Sequence, residues 1–513
     1  MNKSRLHFAA LNSSVSLIMS LLTMLLNFVS RTVFIKILGE EYLGLNGLLT
    51  NVLSMLSLAE LGIGTAMVYM LYKPLAEQNN AQLRALMVLY KRFYVTIGLV
   101  VAGAGLALLP FLPYLIGGKT ELQHITLYYV LFLVNSVISY FFVYNQSLYN
   151  ADQKNYIVSV VRFIFRVIIT IVQTIVLLAT HSFTAYLIVA ILTTLVTNLT
   201  LTYMVKKSYA HVFTAPKIKL SKDVMTQLKH NVYGNVSSKF GDVIVFGTDN
   251  ILISMFVGLS SVGLYANYTL ILNSVQGIIN SIMSSMTATI GNVAVTADDK
   301  QSLQLFRRYL FFNHTIEFFA MTFFFALINP FITVWIGGQY LMNYWVVILI
   351  AVGAYATGMR SSGNIFIAAY GLIWHQRMKP VYESILNLGI SILFLAVFKL
   401  GVVGILLSTL LTNLLFTQVY EIVVVFRHAF HTPVRAFYKQ YAVMLLSFAL
   451  SITLELFVMS LAPAMNAWAN LLYNAVVGIG VASLVYFGVN FKSGELAYLI
   501  GIVNQLRLKI LKR

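Results

Sequence analysis

Residues 37–49 read ILGEEYLGLNGLL, and residues 255–270 read MFVGLSSVGLYANYTL. Each stretch holds two glycines five residues apart with a leucine after the second, and these glycines are Gly39 and Gly44, then Gly258 and Gly263. Both stretches lie between two apolar runs, where glycines allow a tight turn and close packing of the following helix. Because the pattern returns at a constant offset, it predicts an internal repeat.

A second landmark supports the repeat. The sequence LIGG at 115–118 returns as WIGG at 335–338, and the offset agrees with that of the glycine pairs within one residue. We therefore expect residues 8–205 and 230–427 to form two blocks of the same architecture. Parallel repeats of this kind are related by an axis along the membrane normal.

The composition predicts a membrane protein. The chain has 513 residues, of which 59% are hydrophobic and 10% are charged, whereas soluble domains carry about 25% charged residues. Apolar runs of 18 residues and more recur along the chain, which is typical of transmembrane helices, and segments with the alternating polarity of a β-barrel are not seen. The chain has no cysteine, which excludes disulfides and thiol catalysis.

The apolar runs predict fourteen transmembrane helices, so the expected fold is all-α with two six-helix bundles and two further C-terminal helices. The predicted spans are 11–35, 43–71, 88–115, 123–149, 157–179, 183–205, 233–257, 263–293, 311–335, 341–370, 380–399, 401–426, 441–461 and 468–490.

The distribution of basic residues predicts the orientation. Most of the 34 Lys and Arg residues fall at the N-terminus, in the even-numbered loops or in the C-terminal tail, a few of them just inside span ends, and Arg162, Arg166 and Lys379 are among these residues. The odd-numbered loops hold only Lys36, Lys119 and Lys399. By the positive-inside rule both termini are cytoplasmic. This alternation explains the net charge of +18 without a nucleic-acid partner.

The expected domain organisation follows from the repeat and the loops. We predict an N-terminal lobe over 1–205, a basic cytoplasmic linker over 206–232, a C-terminal lobe over 233–427, and a last pair of helices with a basic tail over 428–513. The linker is expected to lie against anionic headgroups. The tail from residue 495 is too short and too basic to span the bilayer and predicts an interfacial amphipathic helix.

One segment carries a family resemblance. An arginine late in the first span, followed by LGEEYLGLNGLLTNVLSMLSLAELGIGTAMVYMLYKPLA at 38–76, resembles the Wzx-type polysaccharide flippases of the multidrug/oligosaccharidyl-lipid/polysaccharide (MOP) exporter superfamily. The resemblance implies a non-enzymatic transporter without a cofactor in a bacterial cytoplasmic membrane. It would flip an undecaprenyl-pyrophosphate-linked oligosaccharide for capsule, exopolysaccharide or another surface polymer, in contact with membrane lipids and the polymerase machinery.

Charged residues inside the spans are the candidate functional residues, because a charge at mid-bilayer costs about 2.5–3.5 kcal/mol and requires a partner or a wet cavity. The substrate-binding candidates are Arg31, Lys239, Arg360 and Glu60, and the ion-coupling candidates are Asp242 and Asp249. Glu317, Glu383, Glu421 and Glu455 rank lower, the middle two because they lie near span ends.

Two of these sites also have a purely structural interpretation. Lys239, Asp242 and Asp249 fall near one helix face, so Lys239 and Asp242 could equally form a structural ion pair. Arg31 lies near a span end and could extend outward to the headgroups. By the repeat offset Arg31 corresponds to Asn250, next to Asp249.

Three functional alternatives stay open beside the flippase. A lipid II flippase cannot be separated from it by sequence. A drug or cation exporter of the same superfamily is expected to have twelve spans and an acidic cavity, and a membrane glycan polymerase is expected to have a large outer loop. The sequence has no phosphate-binding loop of the kind that binds ATP, so the energy for transport is expected from a proton or sodium gradient, the membrane potential or substrate flux. It also has no histidine cluster with the spacing of metal ligands.

Overall fold

The computed structural model of the chain describes residues 3–60, 63–117, 120, 122–220, 225–226, 247–284, 286, 290–291 and 298–511. These residues form helices and connecting turns, and no strand occurs among them. The all-α prediction is therefore confirmed.

The chain divides into two compact units, Met1–Gly263 and Leu264–Arg513. The helices of the first unit include α1 Lys3–Leu38, α2 Glu40–Leu56, α3 Ile63–Ala76, α4 Asn80–Ala107, α5 Leu112–Leu115, α6 Ile125–Tyr140, α7 Ser147–Ala151, α8 Asn155–Thr180, α9 Phe183–Ser208 and α10 Ala210–Thr214. Short 3₁₀ turns lie at Ser57–Glu60, Leu109–Phe111 and Val143–Gln146. Helix α8 packs between α1 and α9, and α9 in turn packs on α6.

Helix α11 begins in the first unit and continues into the second, where nine further helices are given for the residues that the structure describes. Their bounds are α11 Leu259–Ser284, α12 Asp299–Trp335, α13 Tyr344–Met359, α14 Ser361–Ala369, α15 Lys379–Ile392, α16 Gly401–Thr412, α17 Gln418–His428, α18 Arg435–Ser460, α19 Ala467–Asn490 and α20 Gly494–Leu511. The unit also has 3₁₀ turns at Gly338–Tyr340 and Leu372–Gln376 and π-helical turns at Leu393–Val397 and Asn413–Thr417. Helix α12 is central, since α13, α18, α19 and α20 all pack against it.

Polar side chains mark where several long helices begin. The side-chain oxygen of the residue before the helix accepts a hydrogen bond from a backbone N–H of the first turn, which would otherwise have no partner. These caps are Asn79, Ser182, Asp298, Asn343 and Asn466.

Eleven helices in the described part of the chain are long and apolar enough to cross a membrane, and each coincides with a predicted span. The other three predicted spans are 43–71, 233–257 and 263–293, and each of them contains residues outside the described ranges. The exact number of fourteen stays a prediction.

The predicted lobe boundaries also stay a prediction. The two compact units divide at Gly263, whereas the predicted linker covers 206–232 and is described only in part. Its first part is held on the first unit, because Arg84 of α4 donates to the backbone carbonyl of Ala215. Nearby, the Tyr209 hydroxyl donates to Asp152 over 2.6 Å. Burial and this carboxylate raise the pKa of Tyr209 above its ordinary value.

The repeated glycine phrase forms a reciprocal helix crossing within the first unit. Gly39 and Gly258 have φ of 86° and 127°, which only glycine adopts readily, and α2 and α11 begin directly after them. A Cβ at Gly44 would lie 1.8 Å from the carbonyl oxygen of Leu259, and a Cβ at Gly263 would lie 2.1 Å from that of Glu40. The two copies of the phrase therefore pack against each other.

Candidate functional site

Two arginines on α8 form the centre of the candidate site in the first unit. Arg162 and Arg166 are four residues apart and lie on the same helix face. In the sequence both were counted with the basic residues of the cytoplasmic side, although they fall inside the predicted span 157–179. Which end of this span is cytoplasmic stays a prediction. Both lie inside the 26-residue helix Asn155–Thr180, and Arg166 is close to its middle.

These two arginines line two clefts on either side of α8. The first, of about 410 Å³, lies against α1, and its lining residues are Met19, Ser20, Thr23, Met24, Asn27, Ser159, Arg162, Phe163 and Arg166. The second, of about 260 Å³, lies against α6 and α9, and its lining residues are Ser139, Arg162, Phe165, Arg166, Ile169, Thr193, Thr194, Thr197 and Asn198. Neither lining set contains an acidic residue, and both are rich in hydroxyl and amide groups.

The hydrogen-bond partners of the two arginines are neutral. Arg162 donates from Nη2 to Oε1 of Gln146 over 2.6 Å, and Gln146 donates to Asn198 over 3.5 Å. Arg166 donates to the side-chain oxygen of Asn27. Amide oxygens orient a guanidinium without neutralising it, so both clefts keep a full positive charge on each arginine.

Arg31, a predicted substrate-binding residue, lies on α1. Its Nη1 is buried and has no hydrogen-bond partner in the described part of the chain, so the side chain is enclosed by protein and does not extend outward. Tyr186 of α9 interacts electrostatically with both Arg31 and Arg166. None of the ion pairs among the described residues involves Arg31, Arg162 or Arg166.

Glu60, the predicted acidic substrate-binding residue, lies in the 3₁₀ turn between α2 and α3. The Tyr94 hydroxyl donates to its Oε1, and the Tyr90 ring lies 4.8 Å from the Tyr94 ring. A Cβ at Gly64 would lie 3.0 Å from the Tyr94 hydroxyl and 3.1 Å from Glu60 Oε1. Glycine therefore allows the broken helix to approach this carboxylate–tyrosine pair closely.

Of the three predicted residues in the seventh span, only Asp249 is described. It lies in the helical stretch 247–256 of the first unit, and its Oδ1 is buried without a hydrogen-bond partner among the described residues. Lys239 and Asp242 lie outside the described residues. The predicted shared face of these three side chains therefore stays a prediction.

In the second unit, Arg360 lies at the break between α13 and α14 and binds two carboxylates. Its Nη2 and Nε lie 2.8 and 3.2 Å from the two carboxylate oxygens of Glu421, the bidentate geometry that favours arginine. Its Nη1 lies 3.4 Å from Glu383. The side chain of Glu421 is 1% exposed.

Lys379 completes this cluster. Its Nζ lies 2.5 Å from Glu421 and 3.7 Å from Glu383, so Arg360, Lys379, Glu383 and Glu421 balance two positive and two negative charges. Lys379, counted in the sequence with the basic residues of an even-numbered loop, is the first residue of α15, and its side chain is buried. The lower ranking of Glu383 and Glu421 missed their pairing with Arg360.

The other two intramembrane glutamates also lie in the second unit. Glu317 accepts a hydrogen bond from Gln276 over 3.1 Å, and Glu455 accepts one from Ser451 over 3.4 Å. Both are buried. No group of three or more His, Cys, Asp or Glu residues able to hold a metal ion occurs in the ranges that the structure describes.

The family model of polysaccharide biosynthesis proteins matches residues 9–290, more than half of the chain. The chain belongs to this family. The predicted resemblance is confirmed, and the chain is a multi-pass membrane protein. Among curated proteins no match was found.

Solved structures of the MOP superfamily share the fold. The lipid II flippase MurJ in an inward closed conformation is 14% identical, with a TM-score of 0.64 over 93% of this chain and 98% of that one. An inward-facing multidrug resistance MATE family transporter is 14% identical, with a TM-score of 0.60 over 80% and 96%. A MOP superfamily transporter from Pyrococcus furiosus, for which a binding pocket of reverse polarity is reported, is 14% identical, with a TM-score of 0.53 over 83% and 96%.

Proposed function

We propose that this polysaccharide biosynthesis protein flips a polyprenyl-pyrophosphate-linked oligosaccharide from the inner to the outer leaflet of a bacterial cytoplasmic membrane. The product would feed capsule, exopolysaccharide or another surface polymer. The observation that carries the proposal is the pair of clefts beside α8, which share Arg162 and Arg166 and have no acidic lining residue. Family membership and the transporter fold support it.

The chemistry of the clefts suits such a ligand. A pyrophosphate that leaves the headgroup region loses hydration, and fixed guanidinium groups in a low-dielectric site offset that loss. Guanidinium forks match phosphate oxygens in a bidentate manner. The neighbouring hydroxyls of Thr193, Thr194 and Thr197 can donate to and accept from sugar hydroxyls.

The remaining predicted residues take subsidiary roles in this proposal. Arg31 adds a third positive charge close to Tyr186, and Arg360, Lys239 and Glu60 contact the ligand at other stages of alternating access between the two lobes. Asp249 and Asp242 carry the coupling proton or sodium ion. The buried Oδ1 of Asp249 without a described partner supports this role, because such an oxygen is available to an ion.

A lipid II flippase is the second candidate, favoured by the similarity to MurJ. Lipid II also presents a pyrophosphate, so the same arginines would serve. A MATE-like cation exporter is less well supported, because two arginines and no acidic side chain line the clefts.

The proposal is tested in cells that depend on this protein for a surface polymer. The Arg162→Gln/Arg166→Gln variant is expected to abolish the polymer and accumulate the lipid-linked oligosaccharide on the cytoplasmic side, at an unchanged membrane level of the protein. Arg92→Gln, an exposed arginine on α4, is the matched control and should leave the polymer normal. Normal polymer from the double variant would contradict the proposal, and loss of peptidoglycan precursor export in its place would favour the lipid II alternative.

A further inference from the structure

A third cleft lies in the second unit, away from the residues described above. It has a volume of about 560 Å³ and lies between the beginning of α12 and the beginning of α20, with the lining residues Lys300, Leu303, Gln304, Arg307, Arg308, Gly494, Glu495 and Tyr498. Three of these residues are basic and one is acidic. The cleft therefore has a net positive charge.

Two basic residues and a glutamine of the cleft share one face of α12. Lys300, Gln304 and Arg307 follow one another at helical spacings of four and three residues. The guanidinium of Arg308 lies 4.0 Å from the centre of the Tyr498 ring, a cation–π contact that fixes one wall of the cleft. Lys300 and Arg307 are exposed, and neither forms an ion pair with any residue that the structure describes.

The length of α12 places this cleft at the level of the headgroups. A helix of 37 residues is roughly 55 Å long, whereas the hydrocarbon core of a bilayer is about 30 Å thick. The apolar part of α12 lies toward its C-terminal end, so the turn that carries Lys300 and Arg307 extends beyond the hydrocarbon. The predicted orientation assigns this end to the cytoplasmic leaflet.

Apolar side chains lie exposed around the start of α20. Phe491 is 80% exposed, Ile500 is 49% exposed and Tyr498 is 42% exposed. Exposed aromatic and aliphatic groups next to basic ones are typical of a helix that lies in the membrane interface. Helix α20 is not among the eleven helices able to span the bilayer, which agrees with the predicted interfacial tail.

We propose that this cleft binds the phosphate headgroup of an anionic phospholipid. Lys300, Arg307 and Arg308 contact the phosphate oxygens, the Gln304 amide donates to the headgroup, and an acyl chain passes along Phe491, three residues before the lining residue Gly494. Basic pockets at the cytoplasmic ends of transmembrane helices suit such headgroups. Free phosphate has the same oxyanion chemistry, but it would not use the exposed apolar groups beside the cleft. The lipid would fasten α20 to α12.

The chain has no cysteine, so a single introduced cysteine can be labelled specifically. Ala497 is exposed on α20, and full-length Ala497→Cys protein carrying a bimane fluorophore reports on the cleft in a neutral maltoside detergent. We expect short-chain phosphatidylglycerol to change the fluorescence saturably. Phosphatidylcholine of the same chain length and inorganic phosphate should have no effect at the same concentrations.

Charge variants of the labelled protein identify the binding residues. Arg307→Gln/Arg308→Gln should weaken phosphatidylglycerol binding by roughly 25-fold, about fivefold for each residue, and Glu495→Gln should strengthen it. Arg377→Gln/Lys439→Gln removes two exposed basic residues outside the cleft and should bind like the parent. An equal response to phosphatidylcholine, saturation by inorganic phosphate, or unchanged binding by the Arg307→Gln/Arg308→Gln protein would overturn the proposal.

Discussion

The two units use intramembrane arginines in opposite ways. In the first unit, Arg162 and Arg166 have amide partners and line two clefts. In the second unit, Arg360 is bound by Glu421 and Glu383, beside the buried Lys379. An arginine with neutral partners keeps its charge available to an anionic ligand, whereas an arginine enclosed by carboxylates has that charge balanced by the protein.

An intramembrane charge with neutral partners and one with carboxylate partners are therefore expected to have different roles. From the sequence, Arg360 and Arg31 were both predicted to bind substrate, because both are charged residues inside predicted spans. Contact between Arg360 and a ligand stays a prediction, and it requires the Glu421 and Glu383 pairs to open. We therefore propose ligand binding first for the arginines of the first unit and a stabilising role first for the cluster of the second.

The largest change is expected in the free energy of unfolding when the buried cluster of the second unit loses one carboxylate. Glu421→Gln leaves Arg360 and Lys379 facing one buried carboxylate, and breaking a buried ion pair from one side costs about 3–5 kcal/mol. Thermal unfolding of the purified protein should show this loss.

A double variant tests whether the loss of stability comes from the unbalanced charge. Lys379→Met added to Glu421→Gln restores the charge balance and should recover part of the stability, as a double-mutant cycle would report. A Glu421→Gln protein as stable as the parent would contradict the structural role of the cluster.

The second largest change is expected in the flipping rate when Arg166 is replaced. Arg166→Gln removes charge-assisted hydrogen bonds to the pyrophosphate, each contributing about 1.5–3 kcal/mol, so flipping in proteoliposomes should fall by at least tenfold. Unfolding should change little, because Gln can still donate to Asn27. A transport rate equal to that of the parent would assign the ligand to other residues.

A third comparison lies within the repeated glycine phrase. Gly44→Ala places a Cβ 1.8 Å from a backbone carbonyl oxygen, whereas Gly47→Ala meets its nearest atom at 3.5 Å. Overpacking of a close contact costs about 1–3 kcal/mol, so Gly44→Ala should lower the unfolding temperature and Gly47→Ala should not. Equal unfolding temperatures would show that the crossing adjusts freely.

The smallest changes are expected from Arg→Lys substitutions, which distinguish the charge of arginine from the geometry of its guanidinium. Lysine keeps the charge of arginine and loses the bidentate fork. Arg360→Lys should therefore lose about 1 kcal/mol of stability, while Arg166→Lys should keep its stability and part of its transport. The reverse pattern would exchange the roles of the two regions.

The fold was largely predictable from the sequence, and the site only in part. Long apolar runs and the glycine phrase at 37–49 depend on local sequence, so the helices and the turns before α2 and α11 followed from them, whereas the packing of the two phrases against each other did not. The partners of a charge depend on distant residues. Glu421 lies 61 residues from Arg360 along the chain, and nothing in the local sequence of either residue indicates that they pair.

The most direct test of the central claim is equilibrium binding of a short-chain prenyl-pyrophosphate oligosaccharide to the purified protein at low and high salt. We predict that the Arg162→Gln/Arg166→Gln protein binds at least 100-fold more weakly, from about 1.5–3 kcal/mol lost per arginine, and loses most of the salt dependence. Arg92→Gln should bind like the parent. Affinity and salt dependence unchanged in the double variant would contradict the claim that the first-unit arginines hold the pyrophosphate.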